Sequence, residues 1–276
     1  MTTKYGAGLV DAGIMYLNIP VAPIPPAPSV PPTKPPPTTY LFNDEFNGTT
    51  LDSTKWYNAD NIQYGGMSYS KAANATLDGN GNLDLKITRE NWNGKAYAGA
   101  SVGTYLYQTG WPVPAQDIKA SWKAPFSYET RFLLPDVLGA WISPGWNQNI
   151  DRPTSQVINE IDLGEIRSMN PTWFGANQHK WQNGAEVGVA ENGGGNGSDG
   201  RTNWHVMRVD ALADSTKYYL DGTLVATHSA VSGVFGAQLH AEIADVGQWA
   251  AGGTQPDPNS PGPWHFLIDY VRVTAL

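Results

Sequence analysis

Glu160, Asp162 and Glu165 crowd into one short segment, Gln156-Val157-Ile158-Asn159-Glu160-Ile161-Asp162-Leu163-Gly164-Glu165-Ile166. On an extended chain successive side chains alternate faces, so Glu160 and Asp162 point one way. Val157, Ile161 and Leu163 then share the opposite, core-facing side. Strict alternation would drive Glu165 into that core without a partner, which is very costly for a carboxylate. The apolar pattern contains the escape: after Leu163 the next apolar residue is Ile166, three positions on instead of two. A single-residue bulge near Leu163-Gly164 shifts the parity, and glycine suits a bulge. All three carboxylates then line one face. Two carboxyls about 5 Å apart suit retaining hydrolysis of a glycosidic bond, one attacking the anomeric carbon and the other protonating the leaving oxygen. The middle carboxylate can hydrogen-bond the nucleophile and redistribute the protons of the pair. The same pattern also fits a solvated acidic strand face or an acidic calcium cluster.

The elements that must position these groups read as strands. Leu83-Asp84-Leu85-Lys86-Ile87-Thr88 and Leu267-Ile268-Asp269-Tyr270-Val271-Arg272-Val273 alternate or concentrate β-branched and aromatic residues. Tyr218-Tyr219-Leu220-Asp221-Gly222-Thr223-Leu224-Val225 is a hairpin signal, with Asp-Gly at the two turn positions that need positive φ. No window holds a 3.6-residue period long enough for a substantial helix. Many short strands with tight turns mean a sandwich or jelly roll. The run Gly193–Gly200 lacks the strand-to-helix context of a phosphate loop and reads as a surface loop.

Composition agrees. The 276 residues carry a net charge of -8, which excludes the basic stripe that nucleic acid requires. With 15% charged residues, 30 glycines, 11 tryptophans and 13 tyrosines, the chain suits a loop-rich β protein working with aromatic surfaces. It has no cysteine, so packing alone must hold it. Residues 1-20 lack the uninterrupted apolar run of a signal peptide, because Asp11 and Gly13 break it, and no stretch is long enough to span a membrane. Residues 21-39, rich in proline, read as a polyproline II tether. The expected organisation is a docking segment and linker over 1-39, then a single domain over 40-276. Leu9, Val10, Ile14, Met15, Tyr16, Leu17 and Ile19 have too little companion surface for a core, which predicts that residues 1-20 dock on another protein.

Glu160-Ile161-Asp162-Leu163-Gly164-Glu165 resembles the E-x-D-x-x-E signature of glycoside hydrolase family 16, the laminarinase-like group. The resemblance extends over nearly all of residues 40-276. Phe42–Gly48 with Leu51-Asp52 and Trp56 looks like the family's opening strand, and Asp78–Leu83 like its next turn and strand. Tyr128–Phe132 resembles the strand leading to the aromatic segment, Asp221-Gly222 the late hairpin, and Ile268–Val273 the closing strand. What this implies is an all-β jelly-roll sandwich whose concave sheet forms a substrate cleft, and endo-cleavage of a β-linked glucan or galactan by double displacement. Carried over by position, Glu160 is the nucleophile, Asp162 its assistant and Glu165 the acid/base. Trp141, Trp146, His179 and Trp249 are implied to bind substrate. No cofactor is implied for the chemistry, but a structural calcium is, at Glu45, the Gly81 carbonyl and Asp269.

Some positions depart from the family pattern. Trp141-Ile142-Ser143-Pro144-Gly145-Trp146 is one residue longer between its tryptophans, and Asn159 stands where glycine precedes the first glutamate. A non-catalytic carbohydrate-binding or adhesion component of a larger particle, on the same fold, is the competing reading. An enzyme of this kind is expected outside the cell or on a particle such as a virion, with a phage-tail-like assembly as a partner for residues 1-20.

Overall fold

A computed structural model describes residues 39–62, 67–107, 110–248 and 250–276. The expected docking segment and tether, apart from Thr39, and the expected sugar-binding Trp249 lie outside the described residues. The domain is an all-β jelly-roll sandwich. Its outer layer runs edge to edge through Thr223–Ser229, Ser215–Leu220, His205–Ala211, Phe126–Leu133, Trp264–Ala275, Leu83–Trp92 and Ala75–Leu77, all antiparallel. Its cleft layer runs through Ala185–Ala190, Phe174–Gln182, Ile158–Leu163, Ala140–Asn149, Val234–Ile243 and Lys95–Gly103. Leu83–Trp92 pairs with Lys95–Gly103, which ties the two layers along one side. Among the described residues no helix is long and apolar enough to cross a membrane.

Local sequence explains the turns. Asp221-Gly222, Asn93-Gly94 and Asn183-Gly184 each place two consecutive residues at positive φ, the conformation that a two-residue hairpin of matching twist demands. The core follows from alternation. Leu83, Leu85 and Ile87 from the outer layer are fully buried, as are Phe126, Tyr128, Phe132, Met207 and Val209. They meet Ile161, Leu163, Ile166, Ile142, Leu239 and Ala241 from the cleft layer. Each large apolar side chain sealed this way contributes about 1.5–3 kcal/mol, so the inward face of every central strand is committed and the outward face is left for polar work.

The parity change at the acidic strand is built by two strands together. Leu163 lies opposite Gly145, and the next short strand, Ile166–Arg167, resumes with Ile166 opposite Ile142. Two residues on one strand therefore face two on the other, and the register between them never slips. The neighbour steps at the same point: Trp146 and Gln148 line the cleft before Pro144, while Ser143 and Trp141 line it after. On the far flank the mismatch appears, where Gln238 opposes Trp146 but His240 opposes Ser143. The extra residue between the two tryptophans is thus the partner of the extra residue at Gly164. Gly164 takes φ +66, and its N–H donates to the Gly175 carbonyl at 2.7 Å.

A Cβ on Gly164 would lie 2.9 Å from Pro144 Cγ and 3.0 Å from Met207 Sδ. Gly164→Ala is therefore expected to cost about 1–3 kcal/mol through positive-φ strain and overpacking. Denaturant melts check this, and an unchanged midpoint would remove Gly164 from its role in the double step.

Candidate active site

Residues directly opposite each other in antiparallel strands share a face. Glu160 lies opposite His179 on one side and Gln148 on the other; Asp162 lies opposite Asn177 and Trp146. Those flanking strands therefore supply a hydrogen-bond donor to Glu160 and to Glu165 and bring an imidazole up to Asp162. Gln148 donates its amide N–H to Glu160 Oε2 at 2.8 Å, and Asn177 donates to Glu165 Oε2 at 2.6 Å. His179 Nε2 stands 3.3 Å from Asp162 Oδ2 and 3.8 Å from Glu165 Oε2. Its other nitrogen, Nδ1, is hydrogen-bonded to Glu186 on the edge strand. Asn159, the departure from glycine, faces away from this cluster: its backbone and side-chain N–H groups both donate to Asn149 Oδ1, at 2.9 and 3.0 Å.

The cluster floors a cleft of about 600 Å³. Glu160 and Asp162 are only 8% and 4% exposed. Of the residues expected to bind sugar, Trp141, Trp146 and His179 line this cleft. Trp141 meets His240 edge-on at 5.1 Å and rests against Ala244, Ala250 and Ala251. Trp146 is buried with its ring edge-on to Tyr107 at 4.9 Å, so it forms wall and not an open stacking platform. Sequence reading missed Gln148, Asn177, Trp181, Glu186 and Tyr107. The polar runs Trp146-Asn147-Gln148-Asn149 and Asn177-Gln178-His179 carried a usable signal, since strands with amides on alternate positions beside an acidic strand are candidates to clamp it.

Burial sets the electrostatics. It pushes Glu160 up to about 7, while the charge on His179 and the indole N–H groups of Trp146 and Trp181 pull the other way. Asp162 is raised well above the usual carboxylate range by burial and by the charges of Glu160, Glu165 and Glu186. Burial opposes charge on His179, but hydrogen bonds to Glu165 and Glu186 and the nearby Glu160 outweigh it, raising the imidazole to about 9. At neutral pH the imidazole of His179 is a cation. Burial lowers His240 to about 3, so it sits in the cleft wall as a neutral ring. Glu160, Asp162 and His179 converge closely, each offering one ligand atom within 4.8 Å of the others.

The carboxylates expected to share a calcium are engaged elsewhere. Glu45 forms a two-pronged pair with Arg272, at 2.8 and 2.7 Å, and Asp269 pairs with Arg131 at 2.6 Å. Arg272 also stacks on Tyr270, 3.7 Å from the ring centre. A cation at these carboxylates would compete with Arg272 for both oxygens of Glu45 and with Arg131 for Oδ2 of Asp269. Melting with and without EDTA is expected to give the same Tm; a drop on chelation would restore the calcium.

The raised values make a stability prediction. Glu160 holds its proton more tightly folded than at its ordinary 4.5, so its contribution is complete below that value and lost as pH rises through about 7. His179 has the same sign, its contribution being complete below 6.5 and lost on passing about 9. The wild-type Tm is expected to fall between pH 5 and 9, and Glu160→Gln to flatten the lower half of that fall. A profile identical in both proteins would show that Glu160 is not the group responsible.

No protein-family model and no curated sequence matches the chain. Solved structures do. An endo-acting O-glycanase of the human gut microbiota, active in mucin breakdown, superposes with a TM-score of 0.66 at 22% identity, over 87% of this chain and 94% of that one. The laminarinase catalytic domain of Thermotoga maritima gives 0.67 at 19% identity, over 86% and 98%. A non-specific endo-β-1,3(4)-glucanase from glycoside hydrolase family 16 gives 0.68 at 19%, over 85% and 90%. At this identity the likeness is one of architecture, and on that ground the chain has the fold of the family 16 glycoside hydrolases.

Proposed function

We propose that the protein is an endo-acting glycoside hydrolase that cleaves a neutral β-linked polysaccharide with retention of anomeric configuration. The observation that carries this reading is the convergence of Glu160 and Glu165 around one imidazole on the floor of a cleft. His179 Nε2 lies 3.8 Å from Glu165 Oε2, and Glu160 offers an oxygen within 4.8 Å of His179, a clustering that supports double displacement. Glu160, steadied by Gln148, attacks the anomeric carbon as the bond to the leaving oxygen breaks. Glu165 gives that oxygen its proton, then takes one from the water that releases the sugar from Glu160. Asp162, next along the same face, shares the proton load of the pair and so tunes the ionisation of Glu160.

The neighbours of the fold act on β-1,3(4)-glucans and mucin O-glycans, which supports an internally cleaved β-linked polymer. Charge narrows the class. Glu160, Asp162, Glu165, Glu186 and Glu191 line the cleft, and among the described lining residues no lysine or arginine does. Sulfate or uronate groups would meet like charge in a partly desolvated site, so a neutral glucan or galactan fits best. Action on an extracellular polymer, in the surroundings or from a particle surface, is consistent with this reading.

The test is hydrolysis of neutral β-1,3- and mixed-linkage glucans beside sulfated galactans, with the first-formed anomer read by NMR. Cleavage of a neutral polymer to a β-anomer is expected, and Glu160→Gln is expected to lose turnover. An inverted product, preference for the sulfated polymer, or wild-type activity in Glu160→Gln would each overturn the corresponding part.

A further inference from the structure

His179 is held from behind by a residue that the edge strand had to be bent to deliver. Along Phe174–Gln182 and Ala185–Ala190, Gln178 opposes Ala190, His179 opposes Val189 and Lys180 opposes Gly188. The register then shifts, and Trp181 opposes Glu186. Without that shift Glu186 would face Gln182 and fall on the side of the sheet away from His179. Val187 is the inserted residue, and its side chain is 54% exposed, as suits an unpaired bulge position. Bulges at sheet edges re-aim side chains. Here the bulge turns a carboxylate toward the cleft, where it hydrogen-bonds His179 Nδ1.

We infer that Glu186 is a positioning residue that fixes the tautomer, orientation and charge of His179, and through it the proton distribution of the Glu160–Asp162–Glu165 cluster. This rests on the function proposed above. With Nδ1 committed to Glu186, Nε2 is the nitrogen presented to Asp162 at 3.3 Å and Glu165 at 3.8 Å. The Trp181 ring lies nearly parallel to the imidazole, with centres 6.1 Å apart and planes at 22°. The groups facing the ring are therefore Glu160, Asp162 and Glu165 from the acidic strand, Glu186 from the edge strand, and the uncharged Trp181. Only a cation at His179 balances that many carboxyls. Glu186, partly open to solvent, can supply its share without the desolvation penalty that the floor carboxylates incur.

The experiment is an NMR titration of the imidazole of His179 in the full-length protein, which has five histidines, with His179→Gln for assignment. In the wild type the ring is expected to stay protonated through neutral pH, with a tautomer bonded at Nδ1. Glu186→Gln is expected to lower its midpoint by at least about one unit. It should also draw the basic limb of the kcat profile down by a like amount, with little change in KM. Glu191→Gln, which removes the same charge from the same cleft, is expected to leave the His179 midpoint in place. An ordinary midpoint in the wild type would overturn the inference even if no variant folds. So would equal shifts in both variants, or no shift in Glu186→Gln. Because the titration needs no substrate, it fails or succeeds independently of the hydrolase reading. A shifted midpoint with an unmoved pH–rate profile would leave Glu186 holding His179 but remove it from control of the reaction.

Discussion

Three carboxylates on one sheet face, two of them nearly sealed from water, are the constraint to which the rest of the cleft layer answers. Isolated buried carboxylates are very costly, and neighbours of like charge add to the cost. The strands on either side answer it with two amides and one imidazole. Gln148, Asn177 and His179 sit at the register positions that share the carboxylates' face. None of the three is free to drift. Asn177 also accepts the Asn192 N–H through its side chain, and its carbonyl accepts the Tyr218 hydroxyl at 2.7 Å, anchoring the strand to the core. Protons do part of the remaining work, since burial raises Glu160 and Asp162 and the extra proton on His179 offsets one carboxylate charge.

Geometry imposes a second condition. Placing Glu165 on the same face as Glu160 requires an odd step in a strand whose other face is committed to Ile161, Leu163 and Ile166. A bulge in one strand alone would have broken its ladder with the neighbour. The chain instead inserts a residue in both, Pro144 opposite Gly164, and passes the mismatch outward to Val234–Ile243, where Leu239 faces two residues. Proline and glycine each suit the place they occupy. Proline has no N–H to leave unpaired at an irregular ladder position, and glycine accepts both positive φ and the closeness of Pro144 and Met207.

Much of this was legible in the sequence. The three-residue gap from Leu163 to Ile166 announced the parity change, Asp221-Gly222 announced a hairpin, and alternation in Leu83–Thr88 announced a core strand. The extra residue between Trp141 and Trp146 was visible too, but as a departure; its meaning needed the pairing with Gly164. What stayed illegible was non-local. Arg272 reaches Glu45 over 227 residues and Arg131 reaches Asp269 over 138, and no local pattern says that two carboxylates suited to a cation already have guanidinium partners. Glu186 was hidden for a different reason. Its strand, Ala-Glu-Val-Gly-Val-Ala, is exposed along its length and has no buried phase against which a bulge could be noticed.

The arrangement that costs the folded state is the one that would serve the proposed reaction. In hydrolysis through an oxocarbenium-like transition state, positive charge develops on the sugar ring directly above the carboxylates. A floor held below full ionisation by burial, and balanced by one imidazolium at its side, has spare negative charge to offer as that cation forms. The field is aimed before substrate arrives, so little reorganisation is required at the moment of bond breaking. The double step in the sheet, the amide clamps and the edge-strand bulge then have one physical purpose. They hold carboxylates together beside a single imidazolium, where a developing cation on the sugar adds to the relief.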